Sequence, residues 1–232
     1  MTAAKAETVL KKLATPEAAA RQMTFFKTGK GQYGEGDKFL GVTVPVLRGV
    51  AKQFKDLGLK ELERLLHSPY NESRLLALLV LGGQYKHGDE KRRAAIYRLY
   101  LKNARRVNNW NLVDASAHYI VGEHLLTNDR KILYKLVRSE NLWERRIAVV
   151  STFAFIRRRD FKDILKLSAI LLEDEQDLMH KACGWMLREV GKKHSSTLEK
   201  FLKTHAPKMP RTMLRYAIER FPEQKRKAYL MN

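Results

Sequence analysis

The chain has one cysteine, three tryptophans and six prolines in 232 residues. A lone thiol, Cys183, excludes an intramolecular disulfide and fits a reducing compartment. No apolar run approaches the ~20 residues that span a bilayer. The longest, LLALLVL at 75–81, suits a buried helix instead. The N-terminal stretch MTAAKAETVLKKL lacks an apolar h-region and a cleavage site, so a cytoplasmic protein with no membrane contact is expected. Acidic residues are also scarce, 25 Asp and Glu against 45 Lys and Arg, for a formal charge of +20. Such an excess exceeds what solubility needs and fits a polyanionic partner, most simply nucleic acid.

Several chemistries lack their residues. The seven histidines show no metal spacing, and there is no H-E-x-x-H motif or Cys/His cluster. His180 and Cys183 share a helix face, but two ligands do not make a metal site. No G-x-S-x-G, P-loop or deaminase signature occurs. GKGQYG at 29–34 matches G-x-G-x-x-G literally. No strand precedes it and no βαβ unit surrounds it, so it reads as a flexible loop, with Lys30 able to touch phosphates. Neither a metal nor an organic cofactor is expected.

Apolar spacings of three and four run through nearly the whole chain, and period-two alternation is hardly seen. A helical segment over 5–27, the glycine-rich loop at 29–45 and a helix starting near Pro45 make up residues 1–58. From there to 226, about five helix pairs are expected. First members fall at 59–66, 92–103, 129–137, 160–172 and 196–204, and second members begin near Ser73, Trp110, Trp143, Leu178 and Arg211. Both series advance by 31 to 37 residues. Two helices per repeat of that length indicate an all-α superhelix, a solenoid of HEAT-like repeats spanning 1–232 as one domain. The alternative is an irregular all-α domain.

The second helices open with Arg74, then Trp110 and Asp114, then Trp143, Arg145 and Arg146, then Lys181 and Trp185, then Arg211 and Arg215. Stacked in register, these side chains would line a basic, aromatic-studded concave face suited to a nucleic-acid backbone. Asp114 stands out there as an acid. It is either a cap or the partner of Arg145 or Arg146, or it is kept to stabilise a cation. Hydrolysis of a glycosidic bond makes an oxocarbenium-like sugar, which carboxylates stabilise. Tryptophan faces attract cations by about 0.5–2 kcal/mol. Trp110, Asp114 and His118, at i, i+4 and i+8, would share one helix face, with His118 in a buried hydrogen-bonding role.

FLGVTVPVLR at 39–48, NNWNLVD at 108–114, NLWERRIAVV at 141–150 and KACGWMLREVGK at 181–192 together resemble the AlkD family of alkylpurine DNA glycosylases. The likeness runs from about residue 16 to about residue 220, with the motifs in the same order. It implies a stack of helical repeats holding duplex DNA on its concave face. It also implies hydrolysis of the N-glycosidic bond of cationic N3- and N7-alkylated purines, without flipping the base into a pocket. By motif match, Asp114 is the catalytic carboxylate that stabilises the sugar and orients water. Trp110 and Trp185 contact the deoxyribose and the lesion strand, and Arg146 meets the DNA backbone. Further backbone contacts would come from Arg48, Arg74, Trp143, Arg145, Lys181, Arg188, Arg211 and Arg215. No lysine holds the Asp114 position, so no Schiff-base lyase step is expected. The implied molecule is a monomer whose partner is double-stranded DNA carrying alkylated bases, nucleoid-associated when bound. The alternative is a non-catalytic protein binding damaged or branched DNA. The chain departs from the family pattern at Asn109, where the family carries an aromatic.

Overall fold

A computed structural model describes residues 1–231. Its Cα positions cluster into two compact units, Met1–His124 and a second from Leu125 to the end of the described residues. Both are helical, and an isolated parallel bridge between Lys38 and Tyr70 is the extended pairing among the described residues.

The first unit contains α1 (Ala3–Lys12), α2 (Pro16–Phe25), α3 (Val44–Gln53), α4 (Leu59–Leu66), α5 (Asn71–His87), α6 (Glu90–Lys102) and α7 (Trp110–Asp114). The helical segment expected over 5–27 is made of two helices, α1 and α2. Pro16 cannot continue a preceding helix, and it holds Thr15 in extended backbone before opening α2. Pro45 sits in the first turn of α3, where its missing N–H costs nothing. The LLALLVL run lies on α5, which is buried on nearly all sides because α3, α4, α6 and α7 pack around it. α4 and α6 also touch, so first helices stack on first helices and second helices on second helices.

The second unit contains α8 (Lys131–Leu136), α9 (Leu142–Ser151), α10 (Phe153–Arg157), α11 (Lys162–Ile170), α12 (Asp177–Lys193), α13 (Ser195–His205), α14 (Arg211–Ala217) and α15 (Glu223–Met231). α8 packs on α9 and α11 on α12, while α9, α12 and α14 form a row of second helices. The α12–α14 approach depends on Gly184. A Cβ there would sit 2.5 Å from the Tyr216 Cβ and 2.6 Å from the Met213 carbonyl oxygen. α15 has no buried residue and lies beyond the expected pairs.

The expected starts agree with these helices within two residues throughout, as periodic apolar faces and caps dictate. Asp89 accepts from the Arg92 amide at 2.7 Å, Asn109 from the Trp110 amide at 2.8 Å, and Asn141 from the Trp143 amide at 2.9 Å. Such caps stabilise a helix by about 1 kcal/mol each. The fold is therefore of the all-α helical-repeat class.

Candidate functional site

The C-terminal part of the glycine-rich segment, residues 38–42, is tied to the start of α5. The Lys38 amide donates to the Pro69 carbonyl at 3.2 Å, and the Asn71 amide returns a bond to the Lys38 carbonyl at 2.8 Å. Glu72, in the first turn of α5, turns its buried carboxylate onto the amides of Leu40, Gly41 and Val42 at 2.9–3.3 Å. Burial pushes the Glu72 carboxyl above its ordinary range, and the amide donors pull the other way. Gly41 is obligatory at its position. Its φ is +84°, and a Cβ would stand 2.2 Å from the Thr15 carbonyl oxygen. Phe39, Leu40 and Val42 are buried, so FLGVTVP is a packing motif.

Asp37 accepts from four side chains of the first unit. It is 5% exposed. It receives Arg74 Nη2 at 2.5 Å, Asn109 Nδ2 at 3.0 Å, Asn71 Nδ2 at 3.1 Å and Asn108 Nδ2 at 3.3 Å. Arg74 also donates to the Ser68 carbonyl at 2.8 Å. The expectation for Arg74 is thereby corrected. Its guanidinium is 4% exposed and neutralises a buried carboxylate, which leaves nothing to present to a phosphate. Asn109 is fully buried, so it shapes no open cleft directly. It caps α7 and ties it to Asp37.

That cap opens the helix carrying Trp110 and Asp114. Trp110 is half-buried. One face stacks on Phe26, with centroids 5.0 Å apart and rings inclined 25°, and Phe26 stacks in turn on Phe39 at 4.8 Å. Phe25, 65% exposed, meets Trp110 edge-on at 5.9 Å. The indole N–H donates to the Tyr33 hydroxyl at 3.3 Å. Trp110 is thus held on one face, one edge and its polar end by the segment 25–39.

Asp114 closes α7 and is half-buried. A cap role at a helix start is excluded, because Asn109 holds the N-cap of α7 and Asp114 is its last residue. It lies close enough to Tyr100 to be felt there. Burial drives the Tyr100 phenol above its usual range, the bond with Ser116 at 2.9 Å opposes this, and the Asp114 charge adds to it. The continuous face expected for Trp110, Asp114 and His118 is broken. The Ser116 hydroxyl donates back to the Leu112 carbonyl at 2.6 Å, and the chain resumes as a π-helical turn over His118–Gly122. His118 is buried, with its ring 3.9 Å from that of Tyr119.

The remaining candidates lie in the second unit. Trp185 is half-buried on α12, its ring 5.9 Å from Phe153, and the Arg157 guanidinium lies 4.3 Å from the Phe153 ring centre. Trp143 is 6% exposed and belongs to the core, which corrects its assignment as a DNA contact. Arg146 is 5% exposed and donates to the Leu178 carbonyl at 2.5 Å, linking α9 to the start of α12. Arg145 spends its guanidinium on Asp174 at 2.7 Å and on the carbonyls of Ser139 and Glu140 at 2.8 and 2.9 Å. Both arginines therefore have structural partners that the sequence did not disclose. Lys181 pairs with Asp177 at 2.8 Å, and Arg188 pairs with Glu219. Arg211 donates to the Leu230 carbonyl at 2.6 Å while staying exposed, and Arg215, Arg48 and Lys30 are exposed. Burial pushes the Cys183 thiol up to about 12, so it is no nucleophile at neutral pH. Among the described residues, no three His, Cys, Asp or Glu side chains gather as metal ligands, and no helix is long and apolar enough to cross a membrane.

The chain matches the model of the DNA alkylation repair enzyme family over residues 6–221. It belongs to that family. Membership implies a role in DNA repair with DNA as the substrate. A predicted DNA alkylation repair enzyme from Enterococcus faecalis has a similar structure, with a TM-score of 0.73 at 19% identity over 90% of this chain and 97% of that one. That likeness is one of fold. The Streptococcus mutans UA159 protein smu.31 aligns at a TM-score of 0.48 and 20% identity, over 87% of this chain and 89% of that one. No curated protein matches the chain. The family match ends at Phe221, so α15 lies beyond it.

Proposed function

We propose that this member of the family is a monofunctional DNA glycosylase acting on cationic N3- and N7-alkylated purines in duplex DNA. The observation that carries the reading is the pairing on α7. A half-buried carboxylate, Asp114, stands in a chain of net charge +20, one turn from a half-buried tryptophan.

An alkylated purine already carries a positive charge. Its C1′–N bond breaks with both electrons going to the base, which leaves neutral without a general acid. The sugar becomes oxocarbenium-like, and Asp114 stabilises that charge. Water adds its oxygen to C1′ and gives up a proton, for which the same carboxylate is the acceptor. Trp110 flanks the carboxylate, and Trp185 contributes a second aromatic contact to the DNA strand. Lys181, Arg188, Arg211, Arg215, Arg48 and Lys30 are the proposed phosphate contacts. Lysine takes no covalent part, so the backbone is left uncut at the abasic site.

The substrate range gives a direct test. Wild-type protein should release 7-methylguanine from duplex DNA and leave a neutral lesion, uracil, in place. Equal release of uracil would contradict stabilisation tuned to a cationic leaving group. No release of either base, under conditions where duplex is bound, would leave a binding protein without the reaction.

A further inference from the structure

Asn109 and the glycine-rich segment form a physical connection that the reaction scheme above does not use. Asn109 has two separate jobs through its two amide atoms. Its Oδ1 accepts the Trp110 amide at 2.8 Å, and its Nδ2 donates to Asp37 Oδ2 at 3.0 Å. Asp37 is itself fixed by Arg74 and Asn71. Asn71 exchanges a further bond with Asn111 on α7, whose Nδ2 donates to Asn71 Oδ1 at 2.7 Å. The helix bearing Trp110 and Asp114 is only five residues long, too short to hold its direction through its own backbone bonds. Its direction is instead set at its first turn by a buried ion pair and its amide partners. On the other side of the indole lie Tyr33 of the glycine-rich segment and Phe26, the residue that closes α2.

We propose that Asp37 is a positioning residue for the reaction. Through Asn109 it fixes the orientation of α7, and hence of Trp110 and Asp114, relative to the segment that cradles the indole. The inference rests on the glycosylase reading for its effect on rate, though not for its effect on geometry. It also gives the departure at Asn109 a physical purpose. Where the family pattern has an aromatic, this chain has a tether, and the work of shaping the wall beside Trp110 passes to Phe26 and Tyr33.

The cap and the tether separate cleanly in one variant. Asn109→Ser keeps a good N-cap oxygen but is too short to reach Asp37. Asn109→Asp also keeps the cap and turns the Asp37-bound donor into a second carboxylate. With three tryptophans in the chain, a ¹H–¹⁵N spectrum resolves three indole N–H signals, each assignable by a Trp→Phe variant. Both Asn109 variants should move the Trp110 indole signal and leave those of Trp143 and Trp185 in place. Single-turnover excision of 7-methylguanine should slow by roughly ten- to a hundredfold, because sub-ångström placement governs such rates. Affinity for undamaged duplex should stay within about twofold of wild type, since no charge facing DNA has changed. An unmoved Trp110 signal would overturn the tether. A moved signal with wild-type excision would overturn its role in positioning. If the wild type excises nothing, the glycosylase reading fails, and the indole signals still decide whether Asp37 orients α7.

Discussion

Trp110 and Trp143 occupy nearly the same local setting. Each lies in the first turn of the second helix of a pair, and each has its amide capped by an asparagine side chain. Their fates differ. Trp143 is core, while Trp110 is half-buried, stacked on Phe26 and bonded to Tyr33. The helix that carries Trp143 is ten residues long and buries Ile147, Ala148, Val149 and Val150. Beside Trp110 it stops after five, at Asp114. The cap places a tryptophan in the first turn. The length of the helix beyond it and the segment packed against it decide whether that tryptophan fills a core or forms part of a site.

The sharpest way to break this comparison is to truncate both rings. Trp143→Ala should lose about 3–5 kcal/mol in denaturant unfolding, the range for a large buried ring. Trp110→Ala should lose about 1–2 kcal/mol, since part of its surface already meets water. Equal losses would mean that Trp110 is as much core as Trp143.

The same contrast holds among the cations. Arg74→Ala strands the buried Asp37 carboxylate and should cost about 3–5 kcal/mol. Lys181→Ala removes an exposed i, i+4 pair and should change stability by less than about 1 kcal/mol, while weakening duplex binding and lowering its salt slope by about one. A stable Arg74→Ala protein with weakened DNA binding would restore the phosphate-contact expectation for that residue. At the small end, Asn141→Ala should cost about 1 kcal/mol through loss of the α9 cap alone, with no change in the Trp110 indole signal.

The fold was legible because periodicity and caps are local. The 59–66 helix and the starts at Trp110 and Arg211 follow from apolar spacing and cap residues within a few positions of each other. The N-terminal break was legible in principle at Thr15–Pro16. The aromatic and acidic members of the candidate site were also visible, because tryptophan is scarce and Asp114 stands four residues from one of the three in a basic chain. The partners were not. Asp37 lies 37 residues from Arg74 and 72 from Asn109, and nothing local marks it as their acceptor. One-dimensional spacing likewise assigned Arg74, Arg145 and Arg146 to an open face. A basic residue in a first helical turn reads the same whether a phosphate or a buried carboxylate meets it. Burial separates the two cases, and burial depends on residues far away in sequence.

The central claim is that Asp114 acts on the transition state and not on the bound duplex. Single-turnover release of 7-methylguanine, measured with enzyme in excess beside the Kd for the same duplex, tests it most directly. Asp114→Asn should slow release by roughly a hundredfold or more, as loss of a group that stabilises transition-state charge does. Its Kd should stay unchanged or fall, because a negative charge has been removed from a basic protein. Release at the wild-type rate, or a slowed rate explained entirely by weaker binding, would contradict the claim.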